Sequence, residues 1–269
     1  AQADPATRQH VELAVLTAKH MLLYSEMRDI HERAFDYVGA AGCAEKMLEL
    51  EAAMLKINLN YIDRRMYMLD QRPVYGPFGA NFTPLGKKKQ YDNIQNLIDG
   101  KAGELAVRFP VNWKFKTDQE HLGYAAGWFD AAADISGWND IEIGRCIEVQ
   151  GYAADIRKMI PYLGEMWYAV DVELPEKFRT HDLALFVGGI NNEAWIWING
   201  QIVAYQPFHQ SWNRIKYSWT KSLPQGVLKP GKNRIAVRII AADPFGFGGI
   251  FRNMFIYAPK LNKEGKNND

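Results

Sequence analysis

Hydrophobic positions change their period once along this chain. Up to about residue 70 they recur every three or four residues, and from Ala106 onward they alternate. Leu13, Leu16, Leu23, Met27, Ile30 and Ala34 form one helical face, with His20 filling the missing step as a hydrogen-bonded interior histidine. Asp4 before Pro5 supplies an N-cap and a first helical position. The Gly39-Ala40-Ala41-Gly42 run is expected to break the pattern, and a second helix is predicted from Ala44 to Leu69. Its apolar residues fall in two stripes. One holds Met47, Leu50, Met54, Ile57, Tyr61 and Met68, and the other Leu48, Leu55, Leu59, Ile62, Met66 and Leu69. Two long helices across a short turn predict an antiparallel hairpin over residues 1–72. A helix apolar on two faces needs more cover than one partner helix gives.

Residues 73–90 are aperiodic and rich in Pro and Gly, which predicts a connection. Tyr75, Phe78 and Phe82 suggest that it wraps a surface, within a linker set at residues 73–103. Tyr91 to Asp99 reads as one short helix. Beyond it, AVRFPVNWKFKTD, MWYAVDVELP, DLALFVGG, AWIWING, QIVAY, KPGKNRIAVRII and IFRNMFIYAP read as strands. Asn199-Gly200 between two of them is a strong hairpin signal. With no helices interleaved, the strands predict an antiparallel β-sandwich or jelly roll over residues 104–260. Residues 261–269 are expected to be a disordered tail. The fold class is therefore α+β and multidomain: a long-helix hairpin followed by a sandwich.

Composition excludes some partners. The 32 basic and 31 acidic side chains leave a net charge of +1, without the concentrated basic face that a nucleic-acid binder needs. No apolar stretch reaches the ~18–20 residues of a membrane span, and no charged-then-apolar signal segment opens the chain at Ala1. Cys43 and Cys146 are too few and too far apart for a disulfide framework, so two free, mostly buried thiols are expected. Aromatic residues reach 13%, and most of the Trp follow residue 110. Such residues fill cores and also stack on sugar rings.

Trp113-Lys114-Phe115 with Asp118, then Gly127-Trp128-Phe129, Asp134, Ser136, Trp138 and Ile141, form an ordered series. It continues through Gln150-Gly151, Trp167-Tyr168, LFVGGINNEAWIWINGQIV (Leu185 to Val203), Leu228 to Asn233, IAVR (Ile235 to Arg238) and Gly248-Gly249-Ile250. This series resembles the sugar-binding, galactose-binding-like jelly-roll domain of the family 2 glycoside hydrolases, the β-galactosidase and β-glucuronidase group. The helical part is similar to the segment that follows the barrel in large bacterial glycoside-hydrolase-type proteins. The resemblance implies a non-catalytic carbohydrate-binding region, a catalytic barrel of the same polypeptide as partner, a polysaccharide or oligosaccharide ligand, and a secreted or periplasmic bacterial setting. Two alternatives stay open: a complete glycosidase or lyase using loop carboxylates, and a structural or oligomerisation module using Leu55, Leu59 and Ile62.

A glycosidase sets two carboxylates about 5–10 Å apart. Asp130, Asp134, Asp140, Glu142, Glu148 and Glu193 lie in or beside sandwich loops, where turn capping is the ordinary role of such acids. G-x-S-x-G is absent, and His10, His20 and His31 lack the i, i+4 spacing of a helical metal site. No cofactor is expected, with a structural calcium in the loops left open. The candidate sugar contacts are aromatics and donors in loops: Trp128, Phe208, His209, Trp212, Arg214, Phe245, Phe247 and Arg252. Trp195 and Trp197 share one strand face and are expected to pack.

Overall fold

The computed structural model describes residues 4–60, 83–158, 160–208, 218–243 and 247–260. The chain divides into two compact units, Ala1–Asn96 and Leu97–Asp269.

In the first unit, helix α1 (Pro5–Ser25) starts at Asp4, whose carboxylate accepts from the amides of Ala6 and Thr7. It runs into a π-helical segment, Glu26–Glu32. Helix α2 spans Tyr37–Ile57 and is capped by Asp36. The chain turns at Phe35, with φ of 65°, and Asp36 rather than at the glycines, which lie inside α2. Ala40, Ala41, Cys43 and Ala44 are buried there, so this small-residue stretch permits close packing rather than breaking the helix. The second helix also ends at Ile57, with extended Asn58 as its C-cap, and Tyr61, Ile62, Met66, Met68 and Leu69 of the predicted stripes lie outside the described residues. Leu13 and Met54 make one small shared cluster, with Leu16, Leu50, Leu55 and Ile57 packed on it. His20 takes its interior place, with Nε2 3.0 Å from the buried Glu51 carboxylate. Ile30 and Ala34 depart from the expected face. A π turn holds more residues than an α turn and rotates the phase, so Ile30 is exposed while His31 and Glu32 turn inward.

Helix α3 (Pro84–Ile98) begins seven residues before the predicted short helix and lies within the predicted 73–103 linker. Thr83 caps it, its hydroxyl accepting from the Gly86 amide, and Pro84 occupies the first turn. The proline that reads as a breaker is thus a starter. Tyr91 of α3 donates to the buried Glu32 carboxylate at 2.6 Å. Tyr75, Phe78 and Phe82 and the tail at 261–269 lie outside the described residues.

The second unit is a β-sandwich of antiparallel sheets. One sheet, in order β1-β12-β5-β9, uses Gly103–Arg108, Met254–Pro259, Ala184–Val187 and Trp219–Ser222. The other has six strands in the order β3-β2-β4-β10-β7-β8: Asn139–Glu142, Asn112–Asp118, Gly164–Leu174, Gly231–Ala241, Glu193–Ile198 and Gln201–Gln206. A two-stranded ladder pairs β6 (Ile190–Asn191) with β11 (Gly249–Ile250). Alternation directs Trp113, Phe115, Met166, Tyr168, Ile196, Val237 and Ile239 inward from the larger sheet. They meet Val107, Leu185, Val187, Met254 and Ile256 from the smaller sheet in one core. The Asn199-Gly200 hairpin joins β7 to β8, with positive φ at both residues. The Asn199 side chain also donates to Val227 O and to Asn233 Oδ1, both at 2.8 Å, fixing that end of the sheet.

Candidate binding face

The outer surface of the six-stranded sheet carries a row that sequence pattern alone does not assemble. Strand register aligns Lys116 of β2, Trp167 of β4, Arg238 of β10, Trp195 of β7 and Tyr205 of β8. Arg238 lies between two indoles, its guanidinium carbon 4.7 Å from the Trp195 ring centre and 6.0 Å from that of Trp167. It donates from Nε and Nη2 to the two oxygens of Glu165, at 2.6 and 2.5 Å. Glu165 is fully buried and also receives the Trp167 indole N–H at 3.0 Å. His121 Nδ1 stands 3.0 Å from the same carboxylate. A buried charge needs several partners, and Glu165 has them.

The loop from Gln119 to Gly137 covers the next part of this face. Asp118 organises it by accepting from the amides of Leu122 and Gly123 at 2.9 and 2.7 Å, and from the Trp167 indole at 3.2 Å. Burial alone would raise the Asp118 pKa, but these donors outweigh it and hold the carboxyl below the ordinary aspartate value. Gly123 is required by space, since a Cβ there would come within 2.5 Å of both Trp128 and Trp167. Trp128 packs edge-on against Trp138 and Trp167, at 5.4 and 6.0 Å, with the Lys116 ammonium 4.2 Å over its ring. Phe129 stacks on Trp197 and Trp197 on Trp167. Arg234 ties the loop down, donating to Ala133 O while gripping Asp171 through Nε and Nη2.

Trp195 and Tyr205 form the outward edge of the row. Their rings lie 5.2 Å apart, and Tyr205 is half exposed with its hydroxyl donating to Glu193 at 2.5 Å. That edge offers two ring faces, a phenol and a carboxylate beside a guanidinium. A sugar ring uses such groups for stacking and hydroxyl recognition. Trp197 packs as expected, and Trp195 packs against the same cluster while staying partly exposed.

Of the four predicted contacts among the described residues, Trp128 lies on this face. Trp128 is an anchor of its aromatic layer. Phe208 follows β8 and is exposed, and Phe247 precedes β11 and accepts from the Asn191 side chain at 2.6 Å. Arg252 lies buried between β11 and β12. His209, Trp212, Arg214 and Phe245 are outside the described residues. Glu165, Arg238, Lys116 and Tyr205 lie on strands, where loop position gives no signal. Within β4 the signal is parity: in EMWYAVDVEL the residues Glu165, Asp171 and Glu173 share a strand phase with Trp167.

Five of the six loop acids have local partners. Asp134 caps Ser136, Asp140 pairs with Lys114, and Glu142 pairs with Arg145. Buried Glu148 accepts from the amides of Tyr162 and Gly248, and burial pushes its pKa up. Glu193 holds Tyr205.

No family model matches the chain. It is 22% identical over 185 residues to a beta-galactosidase of Halalkalibacterium halodurans, a match covering 58% of this chain and 18% of that protein. Solved structures of a beta-glucuronidase from an uncultured Clostridium sp. and one from Ruminococcus gnavus are similar at 18% and 19% identity, with TM-scores of 0.48 and 0.49. Each covers 60% of this chain and 30% of the glucuronidase. The chain therefore spans under a fifth of the curated relative it matches and under a third of these solved structures.

Proposed function

We propose that this chain is a non-catalytic accessory region of a larger glycan-degrading enzyme of the family 2 glycoside hydrolase type. The observation that carries the reading is the partial match to a beta-galactosidase, which covers 18% of that enzyme's length. The local partners of the sandwich acids support it, because carboxylates used as caps and ion pairs are not set across a sugar for acid–base work. The catalytic barrel belongs to the same polypeptide in this reading, and the parent enzyme acts outside the cytoplasm, where polysaccharide is found.

Glycan contact falls to the Trp195–Tyr205 edge beside Arg238, with exposed Phe208 as a further stacking residue. The test presents the chain to an array of oligosaccharides and polysaccharides while reducing-end release is measured. Binding without release is expected, and Trp195→Ala or Tyr205→Ala should weaken it about tenfold, the equivalent of one stacked ring. Release abolished by a single Asp or Glu substitution would establish the chain as a glycosidase. No binding and no release, with self-association lost on changing Leu55 and Leu59, would leave a structural module.

A further inference from the structure

The π segment Glu26–Glu32 interrupts the helical hairpin where α1 gives way to α2. π turns inside helices concentrate at functional sites, because the extra residue re-aims the side chains that follow. Here the rotation brings His31 beside Glu26 and next to Cys43 of α2. A carboxylate oxygen, an imidazole nitrogen and a thiol sulfur lie within 4.8 Å of one another. His31 Nε2 and Glu26 Oε1 are 3.4 Å apart.

The other ring nitrogen is also engaged. His31 Nδ1 lies 2.7 Å from Asp36 Oδ2, while Asp36 Oδ1 accepts from the Gly39 amide at 2.8 Å. A carboxylate on the far nitrogen is how proteins orient a metal-bound histidine and fix its tautomer. Gly39 makes room for this pair, since a Cβ there would overlap both the His31 ring and the Asp36 carboxylate. Cys43 sits at the buried end of the group and Glu26 at the exposed end, which leaves access from solvent.

We propose that Glu26, His31 and Cys43 bind a divalent metal of the zinc class, with Asp36 orienting His31. One N, one S and one O donor suit this borderline-soft ion, whereas calcium and magnesium call for oxygen alone. Bonds of about 2.0–2.3 Å place tetrahedral ligands roughly 3.5 Å apart. Glu26 and His31 already stand near that spacing, and small rotamer movements bring in the thiol. Three protein ligands leave the fourth position to water. The ion pins the turn between α1 and α2.

The test adds cobalt(II) to the full chain and follows thiolate-to-cobalt charge-transfer absorption, with zinc stoichiometry and affinity measured by calorimetry. One ion per chain and a clear band are expected. Cys43→Ser should abolish the band and weaken zinc at least tenfold. Asp36→Asn should keep the band and weaken zinc about ten- to a hundredfold. Cys146→Ser should change neither. Should Cys43→Ser lose its helical circular dichroism, His31→Gln is read through the same affinity measurement, with tenfold weakening expected. No one-to-one binding, a band that survives Cys43→Ser, or a band lost with Cys146→Ser would overturn the proposal. The group would then be a hydrogen-bonded clamp of Glu26, His31 and Asp36.

Discussion

Among the described residues, the helical unit and the sandwich bury their apolar side chains to different degrees. Among the largest fully buried side chains, Trp113, Phe115, Trp167, Tyr168, Phe178 and Phe255 belong to the sandwich, whereas the helices contribute Tyr91 and Met27. Val11, Val15, Met21, Leu22, Ile30 and Val38 of the helical unit stay exposed. The difference follows from where each backbone finds its hydrogen bonds. A helix satisfies its amides within four residues, so α1 keeps its shape with one modest stripe buried. A strand does so only by pairing with another segment. β1 pairs with β12, from the far end of the unit, and those pairings also assemble a two-sided core. The sandwich is stabilised by long-range packing, and the described part of the helical unit by local helix formation, by buried residues such as Met27, Tyr37, Ala44 and Met47, and by specific links such as His20–Glu51 and Tyr91–Glu32.

Perturbations of the two units should separate accordingly. Trp167→Ala removes a fully buried indole that holds Asp118, Glu165 and the loop aromatics, and should cost about 3–5 kcal/mol in the sandwich transition. Denaturant unfolding followed by Trp fluorescence measures it, with the helical signal expected to stay in place. Arg238→Ala leaves the buried Glu165 carboxylate short of its bidentate partner, a loss of about 3 kcal/mol by the same assay. Arg238→Lys should recover only part of it, because a single ammonium lacks the forked geometry.

In the helical unit, Met54→Ala should cost about 2 kcal/mol, at the low end for core truncation because the surrounding cluster is small. Helical circular dichroism against temperature would show it, and an equal shift in sandwich fluorescence would mean that the units do not unfold separately. Thr83→Ala, removing the α3 cap, should cost about 1 kcal/mol.

The smallest effect is confined to acid. In Asp171 the salt-bridging Arg234 and Lys232 outweigh burial and hold the folded pKa below 3.8, and in Asp118 the amide donors do the same. A depressed carboxylate pKa adds stability that is complete above the unfolded value. It is lost as pH falls through the folded one. The sandwich should therefore be level in this respect above about pH 4 and weaken below it. Asp171→Asn should flatten that decline in melting temperature.

The two periods, the helical start at Asp4, the Asn199-Gly200 hairpin and most of the strands were legible because each depends on neighbours in sequence. The turn at Phe35-Asp36 and the start of α3 at Pro84 were misplaced. Glycine and proline read as breakers in isolation but serve packing at Gly39 and helix entry at Pro84. Of the candidate contacts, Trp128 reached the outer face as a packed anchor, while the exposed edge belongs to Trp195 and Tyr205. Loop position is a weak guide to exposure where strands also present an outer side.

The sequence by itself determined which residues repeat at helical or strand spacing, and hence the order of the two units. Tertiary structure decided which distant strands pair. It thereby set Lys116, Trp167, Arg238, Trp195 and Tyr205 in one row. It also decided that a π turn would bring Glu26, His31 and Cys43 together. Spacing rules see only one regular element at a time, and both groups arise where register or helical phase is set by a partner.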